Sequence, residues 1–154
     1  MIDEKSYMFN PFKIENATDE SIINTYANIQ NTLAVDPDTG FEIASNIERY
    51  ANMNYLLGEM IARYKEQYNI LKNSIAVTEA KQVYIQRKQW IETNKEKAPA
   101  MSYFEAMAKD FVKNELIELG RMDSQIDRFK NASNSITEKQ NALKKKLETM
   151  RYEI

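Results

Sequence analysis

The chain contains neither cysteine nor histidine, and these two absences remove most familiar catalytic machinery. Without cysteine there are no disulfides, thiolate nucleophiles or sulfur-ligated zinc, and without histidine the commonest metal ligand and general base is gone. Carboxylates, lysines and tyrosines are left for chemistry. They need a pocket that shifts their pKa values, and nothing in their spacing announces one. The expectation is a protein that is not an enzyme, with no cofactor and no metal site. Long apolar runs are missing too. Stretches such as Tyr55-Leu56-Leu57 are far too short to span a bilayer, and the N-terminus opens with Asp3 and Glu4 where a signal peptide would carry basic residues. A cytoplasmic protein with no membrane contact is expected.

Proline and glycine are scarce, three of each in 154 residues, and their positions divide the chain. Pro11 sits in an N-terminal arm, Pro37 and Gly40 fall within Asp36-Pro37-Asp38-Thr39-Gly40, and Pro99 lies in Lys95-Glu96-Lys97-Ala98-Pro99-Ala100. Two proline-free helical stretches remain, from about Phe41 to Asn94 and from about Tyr103 to the C-terminus. Each is on the order of 50 residues, hence roughly 75–80 Å long if continuous. Matched lengths predict an all-α fold in a single domain: a long, coiled-coil-like antiparallel helical hairpin over residues 41–154 with its bend near 95–101. A short helix over 18–35 and an extended arm over 1–17 precede it.

Both long helices carry start signals. Thr39 with Glu42, and Ser102 with Glu105, have the spacing in which hydroxyl and carboxylate reciprocally satisfy free backbone amides. In the first helix Ile43, Ile47, Tyr50, Asn54, Leu57, Ile61, Tyr64, Tyr68, Leu71 and Ile75 follow alternating steps of three and four, the seam of a left-handed coiled coil. The register then weakens to Val77, Ala80, Tyr84 and Ile91. The second helix keeps the alternation from Leu119 through Ile126, Ser133, Gln140 and Leu147 to Ile154. Asn54, Ser133 and Gln140 read as polar seam residues that set register. Thr18 or Asp19 caps the short helix, whose apolar face is Ile22, Ile23, Tyr26, Ile29 and Leu33. The arm, with Tyr7, Phe9 and Phe12 around Pro11, is too apolar to be left in water and is expected to dock on its own hairpin or on a neighbour. Two paired helices each bury one stripe, so self-association into a homo-oligomer is expected.

Asp36-Pro37-Asp38-Thr39-Gly40 resembles the opening of a calcium loop but lacks a bidentate glutamate at the twelfth place, which is Ile47, so it reads as a helix-capping turn. Charge is unevenly spread: residues 1–80 carry 6 Lys and Arg against 12 Asp and Glu, and residues 81–154 carry 15 against 11. Around the bend Lys81, Arg87, Lys88, Lys95, Lys97, Lys109 and Lys113 mix with Tyr84, Trp90, Tyr103 and Phe104, a combination able to neutralise phosphates and stack bases. The aromatic residues equally suit a core. A second basic cluster, Lys144-Lys145-Lys146 with Lys139 and Arg151, lies near the end of the chain.

From about Tyr64 onward the layout resembles the UvsY-type recombination mediators of T4-like phages. The likeness rests on a Tyr/Lys-rich helix running through Ala80-Lys81-Gln82 to Arg87-Lys88, a Lys-rich bend, the segment Ser102-Tyr103-Phe104-Glu105-Ala106-Met107-Ala108-Lys109 opening the return helix, and a Lys- and Asn-rich stretch from Ser133 to Leu147. The resemblance implies a non-enzymatic homo-oligomer in the host cell cytoplasm that binds single-stranded DNA and helps load a recombinase onto DNA covered by a single-strand-binding protein. The alternative from the residues is a structural, virion or assembly protein whose hairpin and arm make protein contacts.

Overall fold

A computed structural model describes residues 14–94 and 97–152. The arm residues Tyr7, Phe9 and Phe12, and Lys95 at the bend, lie outside the described residues. Among the described residues four helices follow one another: α1 (Asp19–Asn31), α2 (Gly40–Thr93), α3 (Met101–Phe111) and α4 (Lys113–Tyr152). No strand occurs among the described residues, and α4 returns antiparallel to α2, so the expected all-α helical hairpin is observed. Where length alone suggests one unit, packing resolves two. The first comprises Met1–Arg63 with Asp127–Ile154, and the second Tyr64–Ile126.

In the first unit, α2 lies between two partners. Along one side Asn46, Arg49, Met53, Leu56, Met60 and Arg63 alternate in steps of three and four, which puts them on one stripe. Met53, Leu56 and Met60 are buried in the middle, as are Ile14, Ile22 and Ile29 from the N-terminal segment. The polar ends of the stripe clamp that segment. Asn46 takes both backbone groups of Ala34, its Oδ1 accepting from the N–H at 3.1 Å and its Nδ2 donating to the carbonyl at 3.0 Å. Arg49 donates to the Thr32 carbonyl at 2.6 Å. At the other end the Arg63 guanidinium donates to the carbonyls of Ile14 and Ala17, both at 2.7 Å, to Asp19 Oδ1 at 3.0 Å and to Glu59 Oε1 at 3.0 Å. Burial opposes the charge on Arg63, and bonds to Glu59 and Asp19 outweigh it, raising its pKa.

These clamps explain two departures from the sequence-based boundaries. Thr18 does cap α1, its hydroxyl accepting from the Ser21 N–H at 3.1 Å, but the helix ends at Asn31 rather than near Val35. Asn46 and Arg49 hold the backbone beyond it in a turn. Residues 14–17 are not extended as an arm over 1–17 would require. Ala17 donates to the Ile14 carbonyl at 3.1 Å, forming a turn that presents both carbonyls to Arg63.

The other side of α2 is the stripe read as its seam, and α4 packs there. Gln140 Nε2 donates to the Ile47 carbonyl at 3.0 Å, Asn54 Nδ2 to Thr137 Oγ1 at 3.1 Å, and Lys146 Nζ to the Pro37 carbonyl at 2.7 Å. Partner numbers fall as α2 numbers rise, which is an antiparallel pairing. The start of α2 has the expected reciprocal cap: Glu42 N–H donates to Thr39 Oγ1 at 3.1 Å, and Glu42 Oε2 accepts from the N–H groups of Asp38 at 3.1 Å and Thr39 at 3.3 Å. Burial, with Tyr50 adding a smaller electrostatic effect, pushes the Tyr26 phenol above its ordinary pKa.

In the second unit, α2 from Tyr64 onward packs against α3 and the start of α4. Ile75, Phe104, Ala108, Val112 and Ile126 are its buried apolar side chains. The return segment differs from the single unbroken helix expected from about Tyr103. It begins at Met101 with Ala100 as N-cap and no side-chain cap bond, so Ser102 already lies inside the first turn and the expected Ser102–Glu105 box does not form. Tyr103 donates instead to the Ala100 carbonyl at 3.0 Å. The helix is interrupted at Val112, whose φ of -100° and ψ of 20° leave the α region. Phe104, Ala108 and Val112 are buried at successive four-residue steps. Each such step overshoots the helical repeat by about 40°, and the departure at Val112 accommodates the drift while its side chain stays inside.

Candidate nucleic-acid interface

The basic and aromatic residues read from the sequence separate into three groups once placed on these helices. Lys81, Arg87 and Lys88 are exposed on α2. At 100° per residue they fall, with Tyr84, on the side of α2 turned away from Leu71, Ile75 and Gln82. Among the described residues Lys88 pairs with Glu92, at 4.0 Å, while Lys81 and Arg87 have no ion pair. Lys109 and Lys113 form a second exposed pair one helical turn apart on the return segment, and Lys97 is exposed in the connection between α2 and α3. Charge favours the α2 face. Over Tyr64 to Thr93 there are five Lys and Arg against three Asp and Glu, and over Met101 to Ile126 the numbers reverse.

Trp90 and Tyr103 belong to the packing between α2 and α3. The Trp90 ring meets Tyr103 edge-on, centroids 6.3 Å apart, and Tyr103 meets the buried Phe104 in the same manner at 5.5 Å. Such edge-to-face contacts stabilise by about 0.5–1.5 kcal/mol beyond area burial. Trp90 Nε1 is buried without a hydrogen-bond partner among the described residues. This residue, read from the sequence as able either to stack on bases or to serve a core, takes part in the packing between α2 and α3. Tyr103 keeps 47% of its surface open and is the most exposed aromatic residue of that cluster.

Beside Tyr103 runs a groove of about 420 Å³ lined by Gln86, Tyr103, Ala106, Met107, Asp110 and Phe111. Gln86 Oε1 is buried there with no partner among the described residues. The sequence reading did not single out this groove, because its apolar members Met107 and Phe111 lie off the buried Phe104–Ala108–Val112 row. The terminal basic cluster is partly committed to structure in the first unit: Lys146 contacts Asp38 at 3.7 Å in addition to Pro37, and Lys139 Nζ lies 6.0 Å from the Tyr50 ring centroid. Among the described residues no group of carboxylates is arranged to hold a metal ion, and no helix is long and apolar enough to cross a membrane. No family model matches the chain, and neither does any curated protein or solved structure compared with it.

Proposed function

We propose that the protein is a non-enzymatic, oligomeric accessory protein of phage type that binds single-stranded DNA in recombination or replication, in the manner of a recombination mediator. The observation that carries this reading is the exposed α2 face with Lys81, Arg87 and Lys88, where Lys81 and Arg87 have no acidic partner among the described residues. Cations on one helix face neutralise successive phosphates and release their counterions, the main source of affinity in sequence-independent binding. Lys97, Lys109 and Lys113 are further exposed cations outside that face, and the half-exposed Tyr103 offers a ring on which a base stacks. Handing a strand to a recombinase in place of a single-strand-binding protein needs no catalytic group.

The test is anisotropy of a fluorescent oligonucleotide at low and moderate salt. Combined Lys81→Ala, Arg87→Ala and Lys88→Ala substitution is expected to weaken binding at least tenfold and to flatten the salt dependence by about 0.7 log units per lost phosphate contact. The exposed apolar side chains of the second unit favour a second reading, a virion or assembly component using this region for protein contacts. Absent affinity at low salt, or affinity indifferent to the triple substitution, decides for that reading.

A further inference from the structure

Ile70, Val77, Tyr84 and Ile91 recur at intervals of seven residues along α2, and all four are more than half exposed. Seven residues are two turns of a coiled-coil helix, so the four side chains form a straight row. That row lies on the opposite side of α2 from Leu71 and Ile75, and nothing among the described residues covers it. α2 in the second unit thus carries two apolar stripes, one packed on the return segment and one bare. Tyr84, 67% exposed, is the aromatic member of the bare row. Its neighbours one turn away along the helix are Ala80, Lys81, Arg87 and Lys88, so three of the four are positive and none is acidic. Elsewhere on these helices a lysine lies over a tyrosine ring, Lys72 at 5.9 Å from the Tyr68 centroid and Lys139 at 6.0 Å from that of Tyr50. Among the described residues no cation and no second ring lies against Tyr84.

We propose that Tyr84 is the base-stacking platform of the α2 face, and that this ring makes the face selective for single-stranded over double-stranded nucleic acid. The inference rests on the DNA-binding reading of that face and deepens it. Lys81 and Lys88 stand one turn before and one turn after the ring, seven residues and so about 10.5 Å apart along the axis, with Arg87 beside it. A strand whose base lies on Tyr84 therefore carries its flanking phosphates toward a cation in either direction along the helix, and flexible lysine stems follow the backbone. Every base has a π-face, so the contact is tolerant of sequence. In a duplex the faces of each base are covered by its neighbours in the stack. There the ring has no base to meet, while the phosphates remain available to the cations. Tyr103 is a poorer platform, because its ring already meets Trp90 and Phe104 and it stands on a different helix from the three cations.

Anisotropy of labelled oligonucleotides with the full chain tests this. Tyr84→Ala is expected to weaken single-strand binding about five- to hundredfold, the range of one stacked base, while the slope of affinity against salt stays that of the parent, because stacking releases no counterions. Tyr84→Phe should restore the affinity. Duplex of the same length should bind parent and Tyr84→Ala equally, and so should a single strand of abasic sites, which offers phosphates without bases. A Tyr84→Ala protein that binds single strands as tightly as the parent, loses single-strand and duplex affinity in equal proportion, or keeps its deficit on the abasic strand overturns the platform and leaves the DNA reading standing. Unchanged affinity together with a lower mass of the free protein in solution would assign the ring to a protein contact instead. A parent chain that ignores every oligonucleotide at low salt overturns both.

Discussion

In the first unit α2 is flanked twice, by the N-terminal segment along the stripe from Asn46 to Arg63 and by α4 along Ile47 and Asn54. In the second, the return segment is its one packing partner among the described residues. The exposed surface differs accordingly: eleven of the sixteen large apolar side chains exposed among the described residues belong to the second unit. The polar groups differ as well. The first unit uses Asn46, Arg49, Arg63 and Gln140 to satisfy backbone groups at the margins of its core, whereas the second leaves Gln86 Oε1 and Trp90 Nε1 buried without partners among the described residues. Asn54 Oδ1 is a similar orphan in the first unit, so this contrast is one of degree. One helix thus serves two purposes along its length. Its first part is saturated by its own chain, and its later part leaves a complete apolar stripe for something else.

The comparison breaks most visibly under truncation of apolar side chains. Leu56 is fully buried in the first unit, and Leu56→Ala is expected to cost about 2–5 kcal/mol through lost transfer energy and the residual cavity. Ile70→Ala, removing a side chain of similar size from the bare stripe, should change the stability of the isolated chain by no more than about 0.5 kcal/mol. Urea unfolding at a low protein concentration that favours single copies measures both. Similar losses for the two would mean that the row is already covered within one chain.

Arg63→Ala comes next in size. It removes the donor for the Ile14 and Ala17 carbonyls and the partner of two carboxylates, in a side chain that is only 19% exposed. A loss of about 2–3 kcal/mol is expected from charged hydrogen bonds of this kind. Arg63→Lys should recover only part of it, because an ammonium cannot reproduce the planar fork that reaches both carbonyls. The same unfolding measurement decides, and full recovery by lysine would show that charge alone, without the fork, secures the N-terminal segment.

Much of the helical layout, though not its division into two units, was legible in the sequence. The breaks at Pro37 and near Pro99, the Thr18 and Thr39 caps and the α4-facing seam of α2 all follow from local chemistry or uninterrupted apolar spacing. The stripe facing α1 was hidden because Asn46, Arg49 and Arg63 occupy its ends, and their partners are backbone carbonyls and amides that no side-chain pattern displays. Val112 breaks the return helix without proline or glycine, as a response to packing. Ser102 satisfied the spacing of a capping box, but the chain turns helical at Met101, before a Ser102 cap could act. At the candidate site, exposure of Lys81, Arg87 and Lys88 was readable from the helical pattern. The edge-on packing of Trp90 against Tyr103 depends on the opposite helix and was not. Three of the four members of the bare row, Val77, Tyr84 and Ile91, were legible as the weakened continuation of the seam, but that they stay exposed was not, since it depends on where the return segment packs.

The smallest predicted effect sharpens the comparison at the two helix starts. α2 begins on a reciprocal cap in which the Glu42 carboxylate accepts N–H groups, and α3 begins on Ala100, which has no side chain that can titrate. Backbone bonds from Thr39 first and Asp38 second hold the Glu42 carboxyl below its ordinary value of 4.5, with the Thr39 hydroxyl assisting and slight burial opposing. A carboxyl with a depressed folded pKa stabilises fully above its unfolded value, and that contribution is lost as pH falls through the folded one. Stability attributable to the α2 cap should therefore be constant from neutral pH down to about 5 and decline below the ordinary carboxylate range. Glu42→Gln should be less stable than the parent at neutral pH and converge on it in acid, since the neutral amide oxygen still accepts a bond but has no charge to lose. Thermal unfolding of the pair across this range tests the cap, and a gap that persists undiminished in acid would place the effect of Glu42 elsewhere than in its ionised bonds to Asp38 and Thr39.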